Sequence, residues 1–193
     1  MKKLIILFLL VSFNASALNI KDIKFINSEG KEVDLSQIDS EIIFEWSNLE
    51  CPYVKRHYGS NNMQTTQKFA KSKNVIWITV ISSAKGKQGY IQPNDALNTF
   101  ASFGSFPDHI LVDENGDLGK KFNAKTTPHI FIADKNKNIV YQGAIDDAGG
   151  SKFWTTDLNQ STNFVKKVVN DIKSNKPLSV SKTRPYGCSV KYG

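Results

Sequence analysis

Apolar positions recur along this chain with two different periods, and the two periods divide it into strands and helices. Glu41-Ile42-Ile43-Phe44-Glu45-Trp46 and Asn74 to Ile81 are compact, nearly continuous runs of β-branched and aromatic residues. Runs of that kind predict strands buried on both faces of a sheet. Residues 108–113, 129–133 and 139–143 predict three more, the last two joined by a turn at Lys135-Asn136-Lys137-Asn138. Residues 20–35 read as a hairpin whose turn chemistry is Asn27-Ser28-Glu29-Gly30. Residues 52–71 are helix-compatible and begin with Pro52, whose missing N–H costs little in a first turn; Gly59-Ser60-Asn61-Asn62 bends or interrupts the helix. A second helix is predicted over 93–103. Phe164, Val165, Val168, Val169 and Ile172 lie on one face of a third, over 161–174.

The predicted order is hairpin, strand, helix, strand, helix, strand, short helix, two strands joined by a tight turn, helix. A βαβ unit followed by an antiparallel pair specifies a mixed-sheet α/β domain, its central sheet flanked by helices. That domain occupies residues 18–174. Residues 175–193 form an extended C-terminal tail, rich in Pro, Ser and Thr and expected to be mobile, that carries Cys188. No internal repeat is present. Residues 1–17 stand apart: a basic start (Lys2, Lys3), an apolar run from Leu4 to Phe13, and the small-x-small sequence Ala15-Ser16-Ala17. This predicts a signal peptide cleaved after Ala17, and hence a periplasmic or secreted protein. The apolar run falls short of the ~20 residues that span a bilayer, so no stable membrane anchor is expected after cleavage.

The whole chain has 193 residues, 40% hydrophobic, with a formal charge of +7. Its lysines are scattered and do not alternate with aromatic residues in a stripe, so nucleic acid is not an expected partner. Two cysteines exclude a disulfide-dense scaffold and a four-cysteine metal site. What they allow is one pair. In an oxidising compartment a disulfide between them would persist.

Cys51 sits where the strand ending at Trp46 hands over to the helix beginning at Pro52. A thiol there meets unpaired backbone N–H groups and the positive end of the helix dipole, and both favour the reactive thiolate. Lys55 and Arg56, a turn further on, are placed to add positive potential. Thr127-Pro128 opens a later strand, where a proline shapes the turn; a cis bond there would set a backbone edge against Cys51 for an extended partner chain. Cys188 is the candidate resolving thiol. A sulfenic acid on Cys51 would condense with it to a disulfide. The competing reading is a permanent Cys51–Cys188 staple, closing a loop worth roughly 4–5 kcal/mol on the chain-entropy model. Cys51 with His129 is also a conceivable Cu(I) pair, thiolate being a soft ligand. Asp146-Asp147 reads as a solvated or capping pair, and Tyr53, Trp46 and Trp154 as core or as the lining of a groove beside Cys51.

Several segments together carry a resemblance: Glu45 to Lys55 with its Cys-Pro-Tyr-Val, Asn62-Met63-Gln64, Gly86-Lys87-Gln88-Gly89, Lys125 to His129, Gly143 to Asp147, and the terminal Arg184 to Tyr192. The chain resembles the exported peroxiredoxin-like branch of the AhpC/TSA (redoxin) family of the thioredoxin-like superfamily. The resemblance implies a thioredoxin-like fold, a cis Thr127–Pro128 bond and Cys51 as the redox-active thiol. There are departures. Thioredoxins have a second cysteine where this chain has Val54, and typical peroxiredoxins have Thr or Ser where it has Asn48 and proline where it has Phe44. The arginine that peroxiredoxins use near the Thr127-Pro128 strand start is also missing.

The functional expectation is therefore a thiol-based oxidoreductase without a bound cofactor. It would act on a peroxide or a protein disulfide through Cys51 and be recycled by an external dithiol electron donor. The alternatives are a non-catalytic binding protein with a structural Cys51–Cys188 disulfide, or a copper carrier.

Overall fold

The computed structural model describes residues 18–193; the expected signal peptide lies outside the described residues. Five strands make the central sheet in the order β5-β4-β3-β7-β8. They are β3 (Ile42–Trp46), β4 (Ile76–Ile81), β5 (His109–Val112), β7 (His129–Ala133) and β8 (Ile139–Gly143), preceded by a β1–β2 hairpin (Lys24–Ile26, Glu32–Asp34). β3 pairs parallel with β4 and antiparallel with β7, so the sheet is mixed. The helices are α1 (Pro52–Gly59), α2 (Asn62–Ser72), α3 (Pro93–Ser102), α4 (Asp117–Phe122) and α5 (Phe164–Lys173).

All five residues of β3 are buried, as a continuous apolar run at the centre of a covered sheet requires. Alternation divides them between two cores. Ile42, Phe44 and Trp46 face the layer that includes the hairpin and Phe122 of α4, where Phe44, Trp46, Phe122 and Phe131 stack with centroids 4.9–5.3 Å apart along their closest contacts. Ile43 faces the opposite layer with Val54, Met63, Val165 and Val168 from α1, α2 and α5. Glu45 points to that same side and is fully buried, yet it is well partnered. Tyr58 Oη donates to its carboxylate at 3.1 Å, Trp77 Nε1 at 3.0 Å and Thr79 Oγ1 at 3.3 Å.

The helix expected over 52–71 is two helices. Gly59 ends the first, Ser60 caps it, and Asn61 adopts a left-handed conformation (φ 59°) that no helix can continue.

The C-terminal tail departs from expectation. It is a fixed strap across one end of the sheet. Its backbone polar groups are taken up by the domain: Thr183 N–H donates to Gln142 O at 3.1 Å, Val190 N–H to Lys125 O at 3.1 Å, and Ala84 N–H to Lys191 O at 2.9 Å. A short strand β9 (Cys188–Ser189) pairs antiparallel with β6 (Thr126–Thr127), Cys188 opposite Thr127. Tyr192 fills a socket over Gly119, where a Cβ would lie 2.5 Å from its hydroxyl oxygen. Proline-rich composition excludes helix, but it leaves the remaining N–H and C=O groups free to dock on a strand edge.

Candidate active site

The chain leaves β3 at Trp46 and turns through Ser47–Glu50 into α1, with Cys51 N–H donating to Asn48 O at 2.9 Å. Asn48 braces this turn. Its Oδ1 accepts from Glu50 N–H at 2.8 Å and its Nδ2 donates to Gln88 O at 3.1 Å. Gly89 approaches so closely that a Cβ would overlap the Asn48 amide at 2.1 Å, which accounts for the glycine in Gly86-Lys87-Gln88-Gly89.

Cys51 is the N-cap of α1, with Pro52 at the first helical position. Its sulfur makes no capping hydrogen bond, so the helix acts on it through the field of free N–H groups. Cys51 has no exposed surface. Its sulfur lies in the core cluster and meets the Thr127 carbonyl oxygen at 3.1 Å and the Cys188 sulfur at 2.7 Å. Both cysteines are free thiols. The Thr127–Pro128 peptide is cis and brings β6 and its carbonyl to the sulfur. Burial by itself would push the Cys51 thiol up. Donation from the Cys188 thiol, with the Val54 and Cys188 N–H groups close to the sulfur, outweighs it and holds Cys51 below its ordinary value. Cys188 moves the other way, to about 12, through burial first and then its hydrogen bond to Cys51 and the charge there. Of the two thiols, Cys51 is therefore the one that gives up its proton first, and Cys188 the one that keeps it.

The other expected residues are placed as follows. Lys55 is exposed. Arg56 is engaged elsewhere: its guanidinium donates to Thr156 O at 2.8 Å and lies 4.8 Å from the Phe153 ring centroid. His129 is buried at the start of β7, its Nδ1 accepting from Lys125 N–H at 3.2 Å, and burial pulls its pKa down to about 4. Among the described residues no group of three His, Cys, Asp or Glu side chains could hold a metal ion. Trp46 is core, donating from Nε1 to Ser82 Oγ at 3.0 Å. Tyr53 and Trp154 do stand together, centroids 5.2 Å apart, and Trp154 is 54% exposed. Asp146 is buried and hydrogen-bonded, whereas Asp147 is exposed.

Sequence reasoning missed two features. Glu45, buried in the middle of a strand, stands out only as an acid inside an apolar run. Tyr186 packs its ring against Phe153 and Tyr53 and its hydroxyl into a polar cluster with His57 and Asp146; nothing in the local sequence distinguishes it.

A cysteine capping the first helix after the central strand, faced by a cis-proline strand on a sheet of this order, defines a thioredoxin-like protein. The chain belongs to the Redoxin family, whose model matches residues 15–156. Cys51, Thr127 and Pro128 fall inside the matched residues, and the strap with Cys188 falls beyond them. Solved structures agree on the fold. The chain is similar to an uncharacterized conserved protein from Geobacillus kaustophilus (20% identity, 93% of this chain and 94% of that one, TM-score 0.75). It is also similar to a hypothetical protein from Sinorhizobium meliloti 1021 (18%, 93% and 97%, TM-score 0.73). A third similar structure is the thioredoxin domain of a thiol-disulfide oxidoreductase from Bacteroides vulgatus (17%, 66% and 87%, TM-score 0.51). No match was found among curated proteins.

Proposed function

We propose that this protein is an exported thiol-dependent oxidoreductase that works by disulfide exchange, with Cys51 as nucleophile and Cys188 as the thiol that resolves it. The observation that carries the reading is the approach of the two sulfurs to 2.7 Å across 137 residues of chain. A disulfide bond of ~2.05 Å needs only a small further movement. Export rests on the sequence of residues 1–17, and the Bacteroides vulgatus relative's own description is consonant with the chemistry.

The Cys51 thiolate attacks one sulfur of a substrate disulfide, and the other leaves as a thiolate that takes a proton. Cys188 loses its proton and attacks the Cys51 sulfur, expelling the second substrate thiolate. The substrate gains two electrons and becomes two thiols, while the protein pair loses two and becomes Cys51–S–S–Cys188. An external dithiol restores the pair by the reverse exchange and is itself oxidised. A peroxide would follow the same end: Cys51 becomes a sulfenic acid with release of water or alcohol, and Cys188 displaces water from it. Exchange is favoured because Asn48, which stands where typical peroxiredoxins have Thr or Ser, is committed to the 88–89 loop, and Arg56 to Thr156.

The test treats the reduced chain with limiting oxidised glutathione or limiting hydrogen peroxide and locates the link by peptide mass spectrometry. Cys51–Cys188 linkage with either oxidant, lost in Cys51→Ser and replaced by a glutathione adduct on Cys51 in Cys188→Ser, is the expected result. Linkage by peroxide alone would move the reading to peroxide reduction. A disulfide that resists excess dithiothreitol would make the pair a structural staple, since structural disulfides have potentials below about −300 mV.

A further inference from the structure

Beyond the two thiols, a closed ring of hydrogen bonds joins the nucleophile's helix to the strap. His57 lies on α1, six residues after Cys51; Tyr186 lies on the strap, two residues before Cys188. Between them stand Asn62, at the start of α2, and Asp146, after β8. His57, Asn62 and Asp146 are all buried.

One arrangement of protons satisfies the ring. Tyr186 Oη donates to Asp146 Oδ1. That uses its only hydrogen, so its 3.1 Å contact with His57 Nε2 requires Nε2–H to donate to the tyrosine oxygen. Nδ1 of His57 then carries the lone pair and accepts from Asn62 Nδ2 at 2.9 Å, and the second Asn62 Nδ2 hydrogen goes to Asp146 Oδ2 at 2.8 Å. Ala148 N–H adds a further bond to Asp146 Oδ1 at 3.1 Å. His57 is neutral in this arrangement, in keeping with burial, which drives its pKa down to about 3. The Tyr186 ring is seated by shape as well: a Cβ on Gly149 would lie 2.5 Å from it.

We propose that His57, Asn62 and Asp146 are positioning residues of the thiol pair: through Tyr186 they hold the strap closed and so place Cys188 on Cys51. The inference rests on reading the two cysteines as an exchanging pair. Its logic is that Cys51 has no exposed surface while the strap is seated, so any outside reagent must wait for the strap to lift. A polar latch can open where an apolar plug would resist, because Asp146 and Tyr186 both line a cavity of about 700 Å³ and rehydrate as they part. Closed, the ring confines Cys188 and raises its effective concentration at Cys51.

The experiment uses the full chain with Tyr186→Phe and, separately, Asp146→Asn. Two quantities are read at a temperature well below unfolding: the iodoacetamide alkylation rate of Cys51 in the reduced chain, and the equilibrium constant of the Cys51–Cys188 disulfide against glutathione. Both variants should alkylate at Cys51 about tenfold faster or more and form the disulfide about tenfold less favourably, with little change in Tm. A fall in Tm with both quantities unchanged would make the ring a mere structural support and overturn the proposal. Should the parent form no such disulfide, the oxidoreductase reading fails, and the alkylation ratio still decides the latch. Amide exchange of Val190, whose N–H donates to Lys125 O, gives an independent reading in the unmutated chain. Exchange well ahead of β3 and β7 is expected; exchange only with global unfolding would exclude a strap that opens.

Discussion

Gly187 offers the sharpest test of whether strap and thiol are coupled. It has φ +142°, a conformation open to glycine and rarely adopted by other residues. A Cβ built there would lie 2.0 Å from the Thr127 carbonyl oxygen, 2.6 Å from its carbon and 3.2 Å from Pro128 N. Every one of those atoms is backbone of the segment facing Cys51, so no side chain can swing away to make room. In Gly187→Ala the strap must therefore withdraw by about 1 Å or more. That breaks the pairing of Cys188 with Thr127 and of Ser189 with Thr126, and strains the Val190 N–H bond to Lys125 O. Two or three such bonds, at about 0.5–1.5 kcal/mol each, come to about 1–4 kcal/mol of local stability. The open strap should then be populated roughly five to several hundred times more often, at about 1.4 kcal/mol per tenfold. The assay is alkylation of Cys51 in the reduced, folded chain, quantified by mass spectrometry, with thermal unfolding in parallel. Faster alkylation by about fivefold or more and a much lower disulfide yield are expected while the sheet still unfolds cooperatively. Alkylation and yield equal to the parent's would refute the coupling of strap to thiol.

Other perturbations separate the site from the scaffold. Phe44→Ala, on the face of β3 away from α1, should cost about 3–5 kcal/mol in denaturant unfolding and leave native-state alkylation of Cys51 unchanged; altered alkylation would mean that the two layers are not independent. The pH profile of Cys51 alkylation should have its midpoint below the ordinary thiol value of 9.0, and Cys188→Ala should raise it by removing the strongest hydrogen bond to the sulfur. An unshifted midpoint in the parent would remove the electrostatic basis of the nucleophile. Burial raises the Glu45 carboxyl above 4.5, so the folded state holds its proton more tightly than the unfolded chain does. The resulting stability is complete below pH 4.5 and is lost as pH rises through the folded value, at up to about 1.4 kcal/mol per pH unit. Glu45→Gln should flatten that fall in denaturant midpoints measured from pH 4 to 8, and parallel curves would show that Glu45 titrates as it does in the unfolded chain.

Much of the architecture was legible in the chain because it rests on local rules. Runs such as Ile42–Trp46 and Ile76–Ile81 can only be covered strands, and the β-branched and aromatic content that makes them so needs no tertiary information. The break at Gly59–Asn61 was legible for the same reason, since a residue in the left-handed region ends a helix wherever it occurs. Cys51 before Pro52 at a strand-to-helix junction was likewise readable, because the field of a helix terminus depends only on its own backbone. What the sequence could not determine is where residues 175–193 go. Their composition excludes helix, and on local grounds that looks like mobility. The strap is fixed instead by partners more than 30 residues away in the chain, such as Gln142 for Thr183 and Lys125 for Val190. The same holds for the ring around Tyr186. Its four members are scattered from residue 57 to residue 186 and each is unremarkable locally, so only the folded chain, by burying His57, Asn62 and Asp146 together beneath Tyr186, makes them necessary to one another.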